Sequence, residues 1–186
     1  DFNHNPALWV MNCGHNRAGR PSVGSWLSYG LGREADNLPG FVVMTDGAMK
    51  AGGGVWGNAC LPASHQGTKL NASGPPIPNL KPSMASEEQL KMLRYMKQLD
   101  SGANAEMEAR IKSYELAFRM QMAAPETLDV SKESKATLDL YGGNRFSQQC
   151  LMARRLVERG VRMVQVYNGC SSGDEWDTHH NNFKRH

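Results

Sequence analysis

The 186-residue chain has no long apolar run, and residues 41–44 fall far short of the ~18 apolar residues that cross a bilayer, so no membrane span is expected. It has little net charge. Its 21 basic and 18 acidic side chains leave +3, with no run of five like charges, which removes the electrostatic case for a nucleic-acid partner or an anionic membrane. It has no C-x-x-C pair: Cys13, Cys60, Cys150 and Cys170 lie far apart, which argues against a zinc ribbon or a thioredoxin-type site. Small buried hydrophobes are the simpler reading of these cysteines, with room for one disulfide in an exported protein. No repeat of fixed period is present, so solenoids and propellers fall away. A basic segment leading into an apolar one is also missing from the start, which is Asp1, while the end is polar and rich in potential ligands. The chain therefore reads as residues 1–186 of an interior fragment of one larger domain, with any targeting signal lying outside it. What is present is a folding composition, 40% hydrophobic and 21% charged, close to globular usage.

Local patterns give the elements. A short apolar helix over residues 6–12 can end at Gly14, because glycine takes the left-handed conformation without a Cβ clash. Pro21 suits the first position of a second helix, with Val23, Trp26 and Leu27 at helical spacing and Gly30 and Gly32 stopping it. Residues 41–44, between Pro39-Gly40 and Asp46-Gly47, read as a short buried strand. Residues 47–83 are dense in glycine and proline and read as an irregular insertion or lid, anchored by Val55, Trp56, Cys60 and Leu61. Ser86 and Gln89 have capping-box form before Leu90, Leu93, Met96 and Leu99. Met107, Ile111, Tyr114, Phe118 and Met122 mark an apolar stripe that Pro125 is expected to end. Ser131 is the expected cap of a short helix reaching Tyr141. A further helix over residues 146–159 puts Cys150, Ala153, Leu156 and Val157 on one face, with Arg154, Arg155 and Glu158 largely on the other. Gly160 closes it, and the β-branched run 161–167 then reads as a strand entered from a helix, half of a parallel-sheet unit.

Beyond that strand lies the string WDTHHNN, residues 176–182. Ligands of open α/β sheets bind beyond the carboxyl ends of the strands, which is where this polar cluster falls. Asp177 and His179 are two apart, so in an extended or tightly turned segment both can reach one divalent ion, zinc or another first-row metal. Such an ion polarises an ester oxygen or generates hydroxide near neutral pH. His180, Asn181 and Asn182 can supply outer contacts. A solvated Asp/His loop is the commoner meaning of the spacing, and two ligands do not close a site. At the other end, His4 sits where a helix N-terminus favours an anion and can act as base or nucleophile; helix capping is the plainer reading of Asn3-His4-Asn5. Residues 14–22 superficially resemble a phosphate loop but end Gly-Arg-Pro-Ser, without the lysine, so a P-loop is rejected. Arg20 keeps the capacity to bind an anionic substrate.

Three strings together carry a resemblance. GRPSVGSWLSYGLGREADNLPGFVVM (residues 19–44), YELAFRMQMAAPETLDVSKES (114–134) and CLMARRLVERGVRMVQVY (150–167), followed by WDTHHNN, closely resemble the bacterial family called domain of unknown function 1501, grouped with the alkaline phosphatase and sulfatase superfamily. The likeness covers nearly the whole chain. It implies an α/β fold, a helix-rich part of a doubly wound, mostly parallel sheet of alkaline phosphatase-like type. It also implies export to the periplasm or beyond, often behind a twin-arginine signal. The implied activity is metal-dependent hydrolysis of sulfate or phosphate esters, polysaccharide esters among the substrates, with zinc, calcium, magnesium or manganese as the metal. Asp177 and His179 match the superfamily's Asp/His ligand segment by position. His4, Pro6 and Cys13-Gly14 fall where sulfatases carry a nucleophile, a proline and a helix-closing Thr-Gly pair. His4 is not a formylglycine precursor, and Leu8 stands in place of the signature arginine, a departure from standard sulfatase chemistry. His4 is thus left as a phosphohistidine-like nucleophile, a metal holder or a bystander. The rival reading is a catalytically degenerate member that uses the same crevice to bind a ligand or surface partner.

Overall fold

The computed structural model describes residues 3–71, 84–99, 105–168 and 181–185. Its centre is β1 (Phe41–Thr45), where Phe41, Val42, Val43 and Met44 are at most 1% exposed. A strand this apolar throughout can rest only between two covered faces, the condition of a parallel sheet with helices on both sides. β1 has a parallel neighbour on each side, β2 (Thr68–Asn71) and β3 (Met163–Tyr167), in the order β2-β1-β3. The fold is mixed α/β. β2 lies inside the stretch read from sequence as irregular, since Thr-Lys-Leu-Asn is too short and polar to stand out; only Leu70 is buried there. Two 3-10 turns, Gly53–Trp56 and Ala63–His65, precede it.

Alternation along the strands divides the core in two. One face sends Val42, Met44 and Leu70, with Val164 and Val166, against Ala124, Leu128, Met152 and Leu156. The other packs Phe41 and Val43, with Met163 and Tyr167, against Leu8, Trp9, Val55 and Trp56. Each fully buried side chain of this size stabilises the fold by about 1.5–3 kcal/mol. The helices over the second face are α1 (His4–Cys13) and α2 (Val23–Leu31); those over the first come later. α1 ends as its sequence predicts: Gly14 has φ 69° and its N–H donates to the Val10 carbonyl.

α2 departs from expectation twice. Ser22, not Pro21, starts it, because the Ser22 hydroxyl accepts the otherwise unpaired Ser25 N–H at 3.2 Å. Its buried side is Ser22, Gly24, Ser25 and Ser28, while Val23 and Trp26 are 45% and 50% exposed. Close approach explains the inversion. A Cβ at Gly24 would enter the ring of Phe41, so only small residues fit between this helix and the sheet.

α3 (Ser86–Leu99) and α4 (Ala105–Leu128) pair, and α4 then crosses onto the core. Pro125 lies inside α4 instead of ending it, three residues before the last one. The expected stripe on α4 is also corrected: Tyr114 and Met122 are exposed, whereas Ile111, Met120, Ala124, Thr127 and Leu128 are buried. The C-terminal half of α4 packs on the sheet with the side opposite Ile111, a change of partner along one helix that a single periodicity cannot show.

The end of α4 is held by an arginine. On α6 (Arg145–Glu158), Arg155 is 6% exposed; its Nε donates to the Thr127 carbonyl at 2.7 Å and its Nη2 to the Glu126 carbonyl at 2.9 Å. It also pairs with Glu133, which receives Arg154 at 2.7 Å as well. These bonds satisfy carbonyls that a helix terminus leaves open. The expected faces of α6 are corrected accordingly, since Arg155 is buried and Val157 is 56% exposed. Between the two helices, Asp129 caps a 3-10 turn, Val130–Lys132, and Ser134, not Ser131, caps α5 (Lys135–Tyr141) by accepting the Thr137 N–H at 3.1 Å. Ser131 donates to Asp129 instead. α7 (Asn182–Arg185) is the last described element. No helix among the described residues is long and apolar enough to cross a membrane.

Gly24→Ala should cost about 1–3 kcal/mol by overpacking against Phe41, read as a lowered urea midpoint with unchanged slope. Glu133 supplies a pH dependence. The hydrogen bonds from Arg154 and then Arg155 hold its carboxyl below the ordinary 4.5. Its contribution is therefore present above the unfolded value and lost as pH falls through the folded one. Glu133→Gln should lower the melting temperature at pH 7, and the gap to the parent should close on acidification below about pH 4.5.

Candidate functional site

The strand register fixes where a site can form. Thr45 pairs with Asn71 on one side and with Tyr167 on the other, so the last residues of all three strands stand in one row at the carboxyl edge of the sheet. Just beyond it, Thr45 Oγ1 donates to the Gly47 carbonyl at 2.9 Å and folds residues 45–47 into a turn. That turn exposes the Asp46 carbonyl to Arg145, whose Nη1 donates to it at 3.2 Å. Arg145 opens α6, so the N-terminus of α6 comes to the same edge, capped by Asn144, which accepts the Ser147 N–H at 2.8 Å. A guanidinium beside a row of Thr, Asn and Tyr suits an anionic, oxygen-rich ligand, because arginine presents planar paired donors to such groups.

Behind the row lies a buried polar knot. Asn12, 6% exposed, donates from Nδ2 to the Leu8 carbonyl at 2.7 Å. Its Oδ1 accepts the Tyr167 hydroxyl at 2.8 Å and the Gln165 amide. These bonds lock the last turn of α1 to the carboxyl half of β3. Gln165 Oε1 is buried without a hydrogen bond, as are both amide atoms of Gln149 in α6. The Trp56 ring closes over Tyr167 with centroids 5.9 Å apart.

His4 is the first residue of α1 and is exposed; Asn3 caps the helix by accepting the Asn5 N–H at 3.3 Å. His4 precedes Asn12 by eight residues, about 12 Å along the axis. Asp177 and His179 lie outside the described residues. Among the described residues no three His, Cys, Asp or Glu side chains are grouped to hold a metal ion. Cys13, Cys60 and Cys150 carry free thiols, and burial pushes those of Cys13 and Cys150 up.

A serine–histidine pair is also present, Ser28 Oγ to His65 Nδ1 at 3.0 Å. Burial lowers the His65 pKa, with the hydrogen bond at Ser28 partly offsetting it. Ser28 is 5% exposed, and a Cβ at Gly40, just before β1, would meet its hydroxyl at 3.1 Å. This pair thus sits at the amino edge of the sheet, opposite the carboxyl edge, and ties α2 to the loop before β2.

A family model described as "Protein of unknown function (DUF1501)" matches residues 1–186. The chain belongs to that family. No curated protein and no solved structure matches it. Within this DUF1501 chain, Arg145, Asn12, Gln165 and Tyr167 belong to no motif that the sequence displays. One signal did exist: Gln165 is a polar residue amid Val164 and Val166, in a strand whose type is usually apolar throughout.

Asn12→Ala should cost about 1–3 kcal/mol in chemical denaturation, because the Tyr167 hydroxyl and the Gln165 amide lose their common acceptor. Tyr167→Phe should cost less, and the double variant less than the sum of the two.

Proposed function

We propose that this chain is part of an exported, metal-dependent hydrolase of sulfate or phosphate esters, built on an alkaline phosphatase-like sheet. The observation that carries the reading is the junction of β3 with the D-x-H string. β3 is parallel to β1 and ends at the carboxyl edge, beyond which α/β enzymes place their chemistry, and Asp177 and His179 follow Tyr167 by ten and twelve residues in the sequence. Asp177 and His179 would hold a divalent ion, zinc or a harder metal, with further ligands from elsewhere in the protein. When bound, that ion supplies Lewis-acid activation of the ester. Arg145, beside the strand-end row, is the group suited to holding the anionic ester. His4 is carried as the candidate group facing substrate from α1. Export to the periplasm or outside the cell accompanies the reading.

The test is metal content and turnover on chromogenic sulfate and phosphate esters. Asp177→Ala should remove the bound metal and lower metal-dependent turnover by at least about 100-fold, as loss of a group central to activation does. Unchanged metal content and turnover would sink the assignment. Metal retention without turnover on any ester would leave a ligand-binding protein.

A further inference from the structure

Among the described residues, Gln149 of α6 is the one whose two side-chain polar atoms are both buried without a hydrogen bond, and it is 0% exposed. A buried amide in that state costs free energy, so it marks a place that a partner would complete. Helix geometry says where that partner lies. Gln149 shares the helix face of Met152 and Leu156, which pack on the sheet. Arg145, four residues earlier, is about 40° away around the axis and about 6 Å nearer the start of the helix. Side chains lean toward the N-terminus of their own helix, so the Gln149 amide lies over the first turn of α6, one turn inward of Arg145. That turn stands at the carboxyl edge of the sheet, where Arg145 reaches the Asp46 carbonyl.

The start of this 14-residue helix carries partial positive charge, and the guanidinium beside it adds a full one. Together they attract a tetrahedral oxyanion. Arg145 holds a neutral carbonyl at 3.2 Å, a weaker partner than an anion, so an arriving anion draws it off and opens the way to the amide. The amide then discriminates. Its Nε2 donates to an anionic oxygen, as Arg145 does, but its Oε1 needs a donor in return. A protonated phosphoryl group offers one in P–OH. Sulfate and sulfate esters carry no proton near neutral pH, and would leave Oε1 unpaired against a negatively charged oxygen.

We infer that Arg145, the first turn of α6 and Gln149 form a site for a protonated phosphate group, with Gln149 rejecting sulfate. The inference rests on the ester-binding reading of the carboxyl edge and narrows it from sulfate or phosphate to phosphate. Inorganic phosphate carries the required proton at neutral pH, and a phosphate monoester carries it below its second pKa, about 6.

Isothermal titration calorimetry on the protein at about pH 6, with inorganic phosphate, inorganic sulfate and phenyl phosphate as probes, tests this. Phosphate should bind at least about tenfold more tightly than sulfate, because a site built to pair with a hydroxyl rejects the analogue that lacks it. Gln149→Met should bring the two affinities within about twofold and keep or raise the melting temperature, since an apolar side chain of similar length replaces an unpaired amide. Arg145→Ala should weaken both anions and preserve their ratio. Competition by phenyl phosphate assigns the site to an ester; binding of inorganic phosphate alone assigns it to the free anion. Equal affinities in the parent, no binding of phosphate, or a preference that survives Gln149→Met overturns the inference. The hydrolase reading fails separately: phosphate bound with this preference, and no ester turned over, sinks that reading and leaves the anion site standing.

Discussion

A five-residue strand with no solvent on either face sets the terms for the rest of this structure. β1 cannot pair at only one edge or lie against only one layer, because Val42 and Met44 need one apolar cover and Phe41 and Val43 need another. The two covers differ in kind. α4 and α6 pack large side chains on one face, whereas α2 brings glycine and serine to the other, since Phe41 already fills the space. The exposed aromatics of α2 follow from that exchange: if small residues face inward, the large ones of the same helix face outward.

Charged groups then fix what apolar packing leaves loose. Arg155 is buried because it completes the end of α4 and meets Glu133, so its burial serves the backbone as much as the ion pair. Removing one partner of such a set leaves the others unpaired in a poorly solvated place, so its members act together. Asn12 does the same on the opposite face, joining α1 to β3 through one amide oxygen. The Asn12 knot holds the carboxyl half of β3, whereas the Arg155 knot lies ten residues along α6 from the end that reaches the same edge.

Much of this was legible in the residues, and the failures share a cause. The ends of α1, β1 and α6 follow from Gly14, the apolar run beginning at Phe41 and Gly160, since those signals are local. The buried faces of α2, α4 and α6 differ from those that periodicity suggests, because hydrophobic periodicity reports that a helix is amphipathic but not what lies opposite it. Gly24 against Phe41 and Arg155 against the end of α4 are facts about distant partners. β2 leaves no mark in its own residues, because a short strand is chosen by the free side of its neighbour more than by its own sequence. For the site, the β3 sequence points to a strand whose carboxyl end stands level with that of β1, while Asp177 and His179 rest on spacing and resemblance and lie outside the described residues. The Asn12 knot and Arg145 depend on pairings across 153 and 99 residues, which no window along the chain contains.

Those long pairings also govern how the molecule comes into being. β1 cannot acquire its second neighbour until β3, more than a hundred residues later, has been synthesised. Loop closure on that scale must precede the contacts that reward it, so assembly is slow by topology. During that interval β1 has an open edge and an uncovered face. The nascent chain is then at its most prone to associate wrongly, and a chaperone that shields residues 41–45 would act at the point of greatest need.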